Sequence, residues 1–395
     1  MSHLPEGWYT DPEDSAQERY WDGQAWTNDR RLYTPPPTAL SAGYGAGQAS
    51  EPDLPPALSR AMAIPADVRA LVKSEQLSVS SAADTNWRTL VQVAAVAVSV
   101  TVALTTQFAV AWVLYWAVGS FVAAGAYAAV HEAIHGSLYR SKRANDVAGV
   151  VWGVVILNPY ASYRSFHFQH HVHARSERDS EPLLAPRSRP EYVITAVFTM
   201  LGLNAILWWE LLRMLAGMPS ESTRRTSRRG LATINLVVQV VALAGLWFAT
   251  GSFGTLVAAW LVPVVVGSIV AGFISFPKHY GCPTDTSDPL RNTRTVHTGP
   301  LTRFAVWNAN YHTAHHLAPT VTGRNLPRLQ EAIEDRCDVV VPSYRAFHRS
   351  ALASLRAEGG RATPTLAMDD DIIDLRDGSG YDALAGNRVT ADAER

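Results

Sequence analysis

From Thr89 to Val130 the chain carries no charged residue. A bilayer core about 30 Å thick is crossed by about 20 helical residues. The run is therefore long enough to cross twice, with Thr105-Thr106-Gln107 as the expected turn. A second uncharged run, Leu231 to Pro277, repeats the design, with its turn near Gly251-Ser252-Phe253-Gly254. Both turns lack Lys and Arg. The segment joining the hairpins carries Arg140, Lys142, Arg143, Arg164, Arg175, Arg178, Arg187, Arg189 and the cluster Arg224, Arg225, Arg228 and Arg229. Basic residues favour the cytoplasmic side, so that segment and both chain ends are expected in the cytoplasm, with the hairpins in the cell membrane. A third apolar stretch, Tyr192 to Leu215, is interrupted by Glu210 and Arg213 and carries Trp208 and Trp209 where interfacial anchors sit. It is expected to lie in the membrane plane. The predicted fold is all-α and integral to the membrane, with four transmembrane helices in two hairpins capped by a cytoplasmic helical domain.

Outside the hairpins the pattern changes. Residues 5–31 are aromatic and turn-rich, with Trp8, Tyr9, Tyr20, Trp21 and Trp26, and Asp22-Gly23 between aromatic flanks signals a hairpin. A small β domain is expected over 1–34. It resembles a short Trp-rich bacterial domain of unknown function, with GWY-DP near its start and YWDG--WT after it. A WW domain is the rival reading, but its second Trp is usually followed by x-x-Pro, whereas Thr27, Asn28 and Asp29 follow Trp26. Residues 35–85 begin rich in Pro, Gly, Ala and Ser and read as a flexible linker. The membrane domain is expected over 86–360. Residues 361–395, acidic and turn-rich from Met368, read as a disordered tail. Met1 to Gly7 contain no apolar h-region, so no cleaved signal peptide is expected.

Composition narrows the chemistry. Hydrophobic residues make up 47% and charged residues 17%, below the roughly 25% charged of an average soluble domain. A formal net charge of −1 argues against nucleic acid as a partner, because a phosphate-binding surface carries a basic excess. Cys282 and Cys337 are too few for a disulfide framework or an iron–sulfur centre.

The thirteen histidines are unevenly placed. His131 and His135 lie where the second helix of the first hairpin leaves the membrane, and their i, i+4 spacing puts both imidazoles on one helical face. His167, His170 and His171 form one H-x-x-H-H box, and His312, His315 and His316 form another. Such a box lets three imidazoles converge from one helical turn on a metal. The rival is zinc, because His131-Glu132-Ala133-Ile134-His135 matches H-E-x-x-H, the motif of an intramembrane zinc protease. A hydrolytic zinc site needs only three protein ligands and an open position, and the other two boxes exceed that need. The boxes must share one side of the membrane to share metals, which is why Tyr192–Leu215 is not expected to cross.

At this point the chain resembles the membrane fatty acid desaturase family, which includes hydroxylases, ketolases and acetylenases acting on lipid-like chains. The resemblance covers roughly residues 88–335. It rests on the three boxes in order, the hairpin–boxes–hairpin–box plan, Asn292-Thr293-Arg294-Thr295-Val296 and Asn325-Leu326-Pro327, and the wording NANYHTAHHLAPTV. The family uses one further histidine at the end of the last transmembrane helix, which His279 supplies here. The implied ligand set is therefore His131, His135, His167, His170, His171, His279, His312, His315 and His316, around a di-metal site of two iron ions. Lys278 departs from the family, where an acidic residue commonly precedes that histidine. His3, His173, His297 and His348 are not expected to be ligands.

The resemblance implies an O2-dependent di-iron desaturase of a fatty acyl or similar aliphatic chain, with a hydroxylase, ketolase or acetylenase as the alternative. Hydrogen removal from an unactivated methylene is beyond side-chain acids and bases, so a metal cofactor must carry it. A long apolar cavity from the bilayer side is expected for the substrate. The chain holds no G-x-G-x-x-G after a strand and no cysteine cluster, so an external ferredoxin- or rubredoxin-type donor with its reductase is implied. The basic segment could dock an acidic carrier, although membrane orientation alone accounts for it. Membrane lipids complete the expected surroundings.

Overall fold

The computed structural model describes residues 7–10, 17–21, 25–32, 64–176, 179–181, 186–224, 226–284, 286–357 and 373–374. The chain divides into two compact units, Met1–Asp53 and Leu54–Arg395. In the first, β1 (Gly7–Thr10), β2 (Gln17–Trp21) and β3 (Trp26–Leu32) form an antiparallel sheet in that order. Trp8 pairs with Tyr20, and Trp21 with Trp26 across the hairpin read from Asp22-Gly23. The turn itself lies outside the described residues.

In the second unit the first described helix is α1 (Ala66–Ser74), which lies within the stretch 35–85 expected as a linker. Its composition hid an apolar face. Val68, Leu71 and Val72 recur at helical spacing and, with Leu77 just beyond the helix, join a core with Tyr311, Leu317 and Leu329. Residues 35–63 of that segment lie outside the described residues.

The first hairpin is α2 (Ala82–Thr106) and α3 (Ala109–Ile134). Ser81 caps α2, accepting from the Asp84 N–H, and left-handed Gln107 closes it at the expected turn. The second hairpin is α7 (Arg229–Thr250) and α8 (Phe253–Lys278), joined at Gly251, where φ is +59°. Between them lie α4 (Lys142–Val155), α5 (Tyr160–His173) and α6 (Arg189–Leu215).

Helix α3 is central and α2 and α7 are peripheral. Half of its most apolar window is buried, against 11% for α2 and 17% for α7. Gly267 lets α8 approach it closely, since a Cβ there would meet the Ala123 Cβ at 2.6 Å and the Ser120 carbonyl at 2.7 Å. Further out, Pro263 has no N–H for the Ala259 carbonyl. The Tyr115 hydroxyl donates to that carbonyl instead, while the Trp116 indole donates to Ala258 at 2.8 Å. A π-helical stretch, Val257–Leu261, accommodates the break.

Among the described residues, five helices are long and apolar enough to cross a membrane by length and composition, and α6 is one of them. Its ends, however, neighbour the same side of the bundle. At its start Tyr192 packs on Phe276 in the last turn of α8 and on Tyr280 just beyond it, with ring centroids 5.1 and 5.6 Å apart. At its end Leu211 and Met214 pack with Ala232 in the first turn of α7 and with Ala161.

After α8 the chain forms β4 (Thr295–Val296), α9 (His312–Leu317), α10 (Leu326–Ile333), β5 (Val339–Val341), α11 (Tyr344–Ala357) and β6 (Ile373–Asp374). Strand β4 pairs parallel to β5, and β6 pairs antiparallel to it. This small sheet adds strands of two or three residues, too short to carry a readable alternation, to a unit that is mostly helical as expected. It also places β6 inside the stretch read as a disordered tail. The rest of 361–395 lies outside the described residues.

Candidate metal centre

The nine histidines named from the sequence converge. His131, His135, His167, His171 and His315 form one group, and His170, His279, His312 and His316 form a second. Within each group one ring nitrogen of every histidine lies within 4.8 Å of the others. Each H-x-x-H-H box serves both groups. His167 and His171, one turn apart, belong to the first and His170 to the second. In the third box the assignment is reversed, with His312 and His316 in the second group and His315 in the first. The i, i+4 pair shares one line along the helix, while the i+3 residue stands to its side.

Local backbone aims the boxes. His131 occupies the last turn of α3 and His135 its C-cap. Helix α9 follows a turn in which Trp307 and Asn308 are left-handed, at φ 53° and 62°. The Asn308 side chain holds that turn by donating to the Gly323 carbonyl at 2.9 Å.

The donor set fits metal. Nε2 faces Nε2 at 3.0 Å for His135–His167, 2.9 Å for His167–His171, 3.1 Å for His171–His315, 3.1 Å for His170–His279 and 2.8 Å for His279–His312. Two neutral imidazoles so placed can share only one proton. Among the described residues neither ring nitrogen of His131, nor Nε2 of His316, has a hydrogen-bond partner. Buried nitrogens gathered in this way are what a divalent cation would satisfy. Burial lowers the pKa of His135 to about 3 and holds His167, His171, His279, His312, His315 and His316 well below the ordinary imidazole value. Neighbouring imidazoles add to that effect. The neutral form that results is the ligand form.

His170 goes the other way. Burial opposes its charge, but the Glu181 and Asp179 carboxylates raise its pKa. Asp179 Oδ1 lies 2.9 Å from His170 Nδ1, and Asp179 Oδ2 accepts from the Arg175 N–H at 2.8 Å. Glu181 stands 3.8 Å from His167 Nδ1. The sequence reading missed both acids, whose only signal was their place just after the second box. Nδ1 of His279 is 3.2 Å from the Asn292 carbonyl, so the Asn292–Val296 motif touches a histidine of the second group. Within that motif Arg294 donates to the Pro277 and Tyr280 carbonyls at 2.6 and 2.8 Å, fixing the turn around His279.

Glu132 hydrogen-bonds outside the histidine groups, although its Oε1 lies 3.6 Å from His131 Nδ1. Its Oε2 accepts from the Gly323 N–H at 2.8 Å and from the Ser137 hydroxyl at 2.6 Å. His173, His297 and His348 belong to neither group. His297 pairs with Glu334 at 3.1 Å, and His348 joins the Tyr192 hydroxyl at 2.7 Å to the Phe273 carbonyl at 3.0 Å. His3 lies outside the described residues.

Comparison with known proteins agrees with this geometry. The profile described as a protein of unknown function, DUF2510, matches residues 7–39. No curated protein matches the chain. The fatty acid desaturase profile matches residues 106–348, more than half of the chain and all nine of the grouped histidines. The chain belongs to the fatty acid desaturase family.

Proposed function

We propose that this chain is an O2-dependent di-iron desaturase acting on a fatty acyl or similar aliphatic chain at the cell membrane. The division of nine imidazoles, seven buried and two half-buried, into groups of five and four carries the reading. It supplies two adjacent all-nitrogen sites, whereas a hydrolytic zinc site uses three ligands. Two irons would supply the oxidising power that an unactivated C–H bond requires. Overall, one O2 removes two hydrogen atoms from adjacent methylenes. Two electrons come from an external ferredoxin- or rubredoxin-type donor and two protons from solvent, and the products are an alkene and two waters.

The chain's own residues hold and orient this centre. Asp179 and the Asn292 carbonyl fix the rings of His170 and His279 with Nε2 turned inward. Tight packing of α3 against α8 beneath the first box keeps water out from the membrane side. Helix α6 lies in the membrane plane, with four helices crossing and the centre on the cytoplasmic side. Contact of both α6 ends with the box-side ends of α7 and α8 supports that topology. Mass spectrometry of lipids and thioesters from cells with and without the protein tests the reaction. A product two hydrogens lighter than its precursor is expected. A product heavier by one oxygen identifies a hydroxylase.

A further inference from the structure

Residues 64–81 precede the stretch matched by the family profile, yet they are built against the third histidine box. Val68 and Leu77, 2% and 4% exposed, share an apolar cluster with Tyr311, Ala314, Leu317 and Leu329. Ala314 and Leu317 are part of α9, which carries His312, His315 and His316, and Tyr311 caps it. Beyond α1 the backbone turns at left-handed Gln76, φ 53°. The Leu77 carbonyl then accepts from the Thr322 N–H at 3.2 Å, the Thr322 hydroxyl at 3.3 Å and the Asn325 amide at 2.8 Å. Ion pairs from Glu75 to Arg328 and from Asp67 to Arg336 close the outer side. These are exposed and contribute register more than stability.

The gripped loop leads onward to the first box. Gly323 donates to Glu132 Oε2 at 2.8 Å, and Glu132 Oε1 is 3.6 Å from His131 Nδ1. A Cβ on Gly323 would lie 2.6 Å from the Trp307 carbonyl and 2.8 Å from Glu132 Oε2, so the loop is wedged between the boxes. The contacts run unbroken from Leu77 to His131.

We propose that residues 64–81 are a positioning clamp for the metal centre. Leu77 fixes the Thr322–Asn325 loop, which seats α9 and, through Gly323 and Glu132, His131. The proposal rests on the reading that the nine histidines hold two metals. Because the third box serves both groups, releasing the clamp weakens both sites.

The test uses the full chain in detergent as wild type, Leu77→Ala, Asn325→Ala and Leu77→Met. Hydrogen exchange of amides 312–325 in metal-free protein reads the clamp itself, and Co(II) titration followed by its visible spectrum reads the metal sites. Leu77→Ala and Asn325→Ala should each speed exchange about tenfold in 312–325 while leaving α3 and α8 unchanged. Both should weaken cobalt about tenfold at both sites, and Leu77→Met should behave as wild type. Wild-type exchange over 312–325 in both alanine variants would overturn the clamp. So would faster exchange with unaltered cobalt affinity. A wild-type chain that takes up no pair of cobalt ions would contradict the di-metal reading and, with it, the clamp's role there, while exchange over 312–325 still decides whether the segment holds the loop.

Discussion

Asp179 Oδ1 accepts a hydrogen bond from His170 Nδ1 at 2.9 Å, and both side chains are almost wholly buried. The contact fixes the tautomer that leaves Nε2 turned toward His279. Carboxylates that hold a ligand imidazole in this way are worth about 10–100-fold in metal affinity. Asp179→Ala should therefore weaken one of two metals by that factor, and Asp179→Asn should retain part of it. Metal titration monitored by calorimetry checks this, and equal weakening of both metals would contradict the assignment of His170 to the second group.

Glu132 and His135 share the motif H-E-x-x-H but have different surroundings. Glu132 bonds Gly323 and Ser137, whereas His135 Nε2 meets His167. Glu132→Gln keeps a side-chain oxygen for these donors and should retain both metals and measurable activity. His135→Ala should lose metal from the first group and all turnover. Complete inactivity of Glu132→Gln with its metal intact would instead mark Glu132 as a general base.

The three boxes were legible because one-turn spacing is a local property, readable in His167-x-x-His170-His171 without knowing the fold. Their division between two groups was not, since it depends on the angle at which α9 enters after the left-handed Trp307–Asn308 turn. Both hairpin turns were readable from interrupted apolar runs, at Gln107 and Gly251. Asp179 was hidden among Arg175, Arg178 and Arg187, where basic residues dominated the reading. Helix α1 was obscured by the Pro-rich stretch before it, and its apolar face acquires meaning only through contact with Leu317 and Leu329, far along the chain.

Topology gives a further prediction. If α6 stays in the plane, Ser141, Ser227 and Glu331 share the cytoplasmic side and Ser252 lies outside. Single cysteines at these positions, in a chain lacking Cys282 and Cys337, should be shielded from an impermeant thiol reagent in intact cells, except at Ser252. Labelling of Glu331→Cys from outside while Ser141→Cys stays protected would mean that α6 crosses. The first and third boxes could not then share a centre.

The metal content of the purified protein tests the central claim most directly. After anaerobic loading with Fe(II), imidazole groups of five and four should hold about two irons per chain and little zinc. One tightly bound zinc per chain and no iron would contradict the di-iron centre and restore the H-E-x-x-H protease.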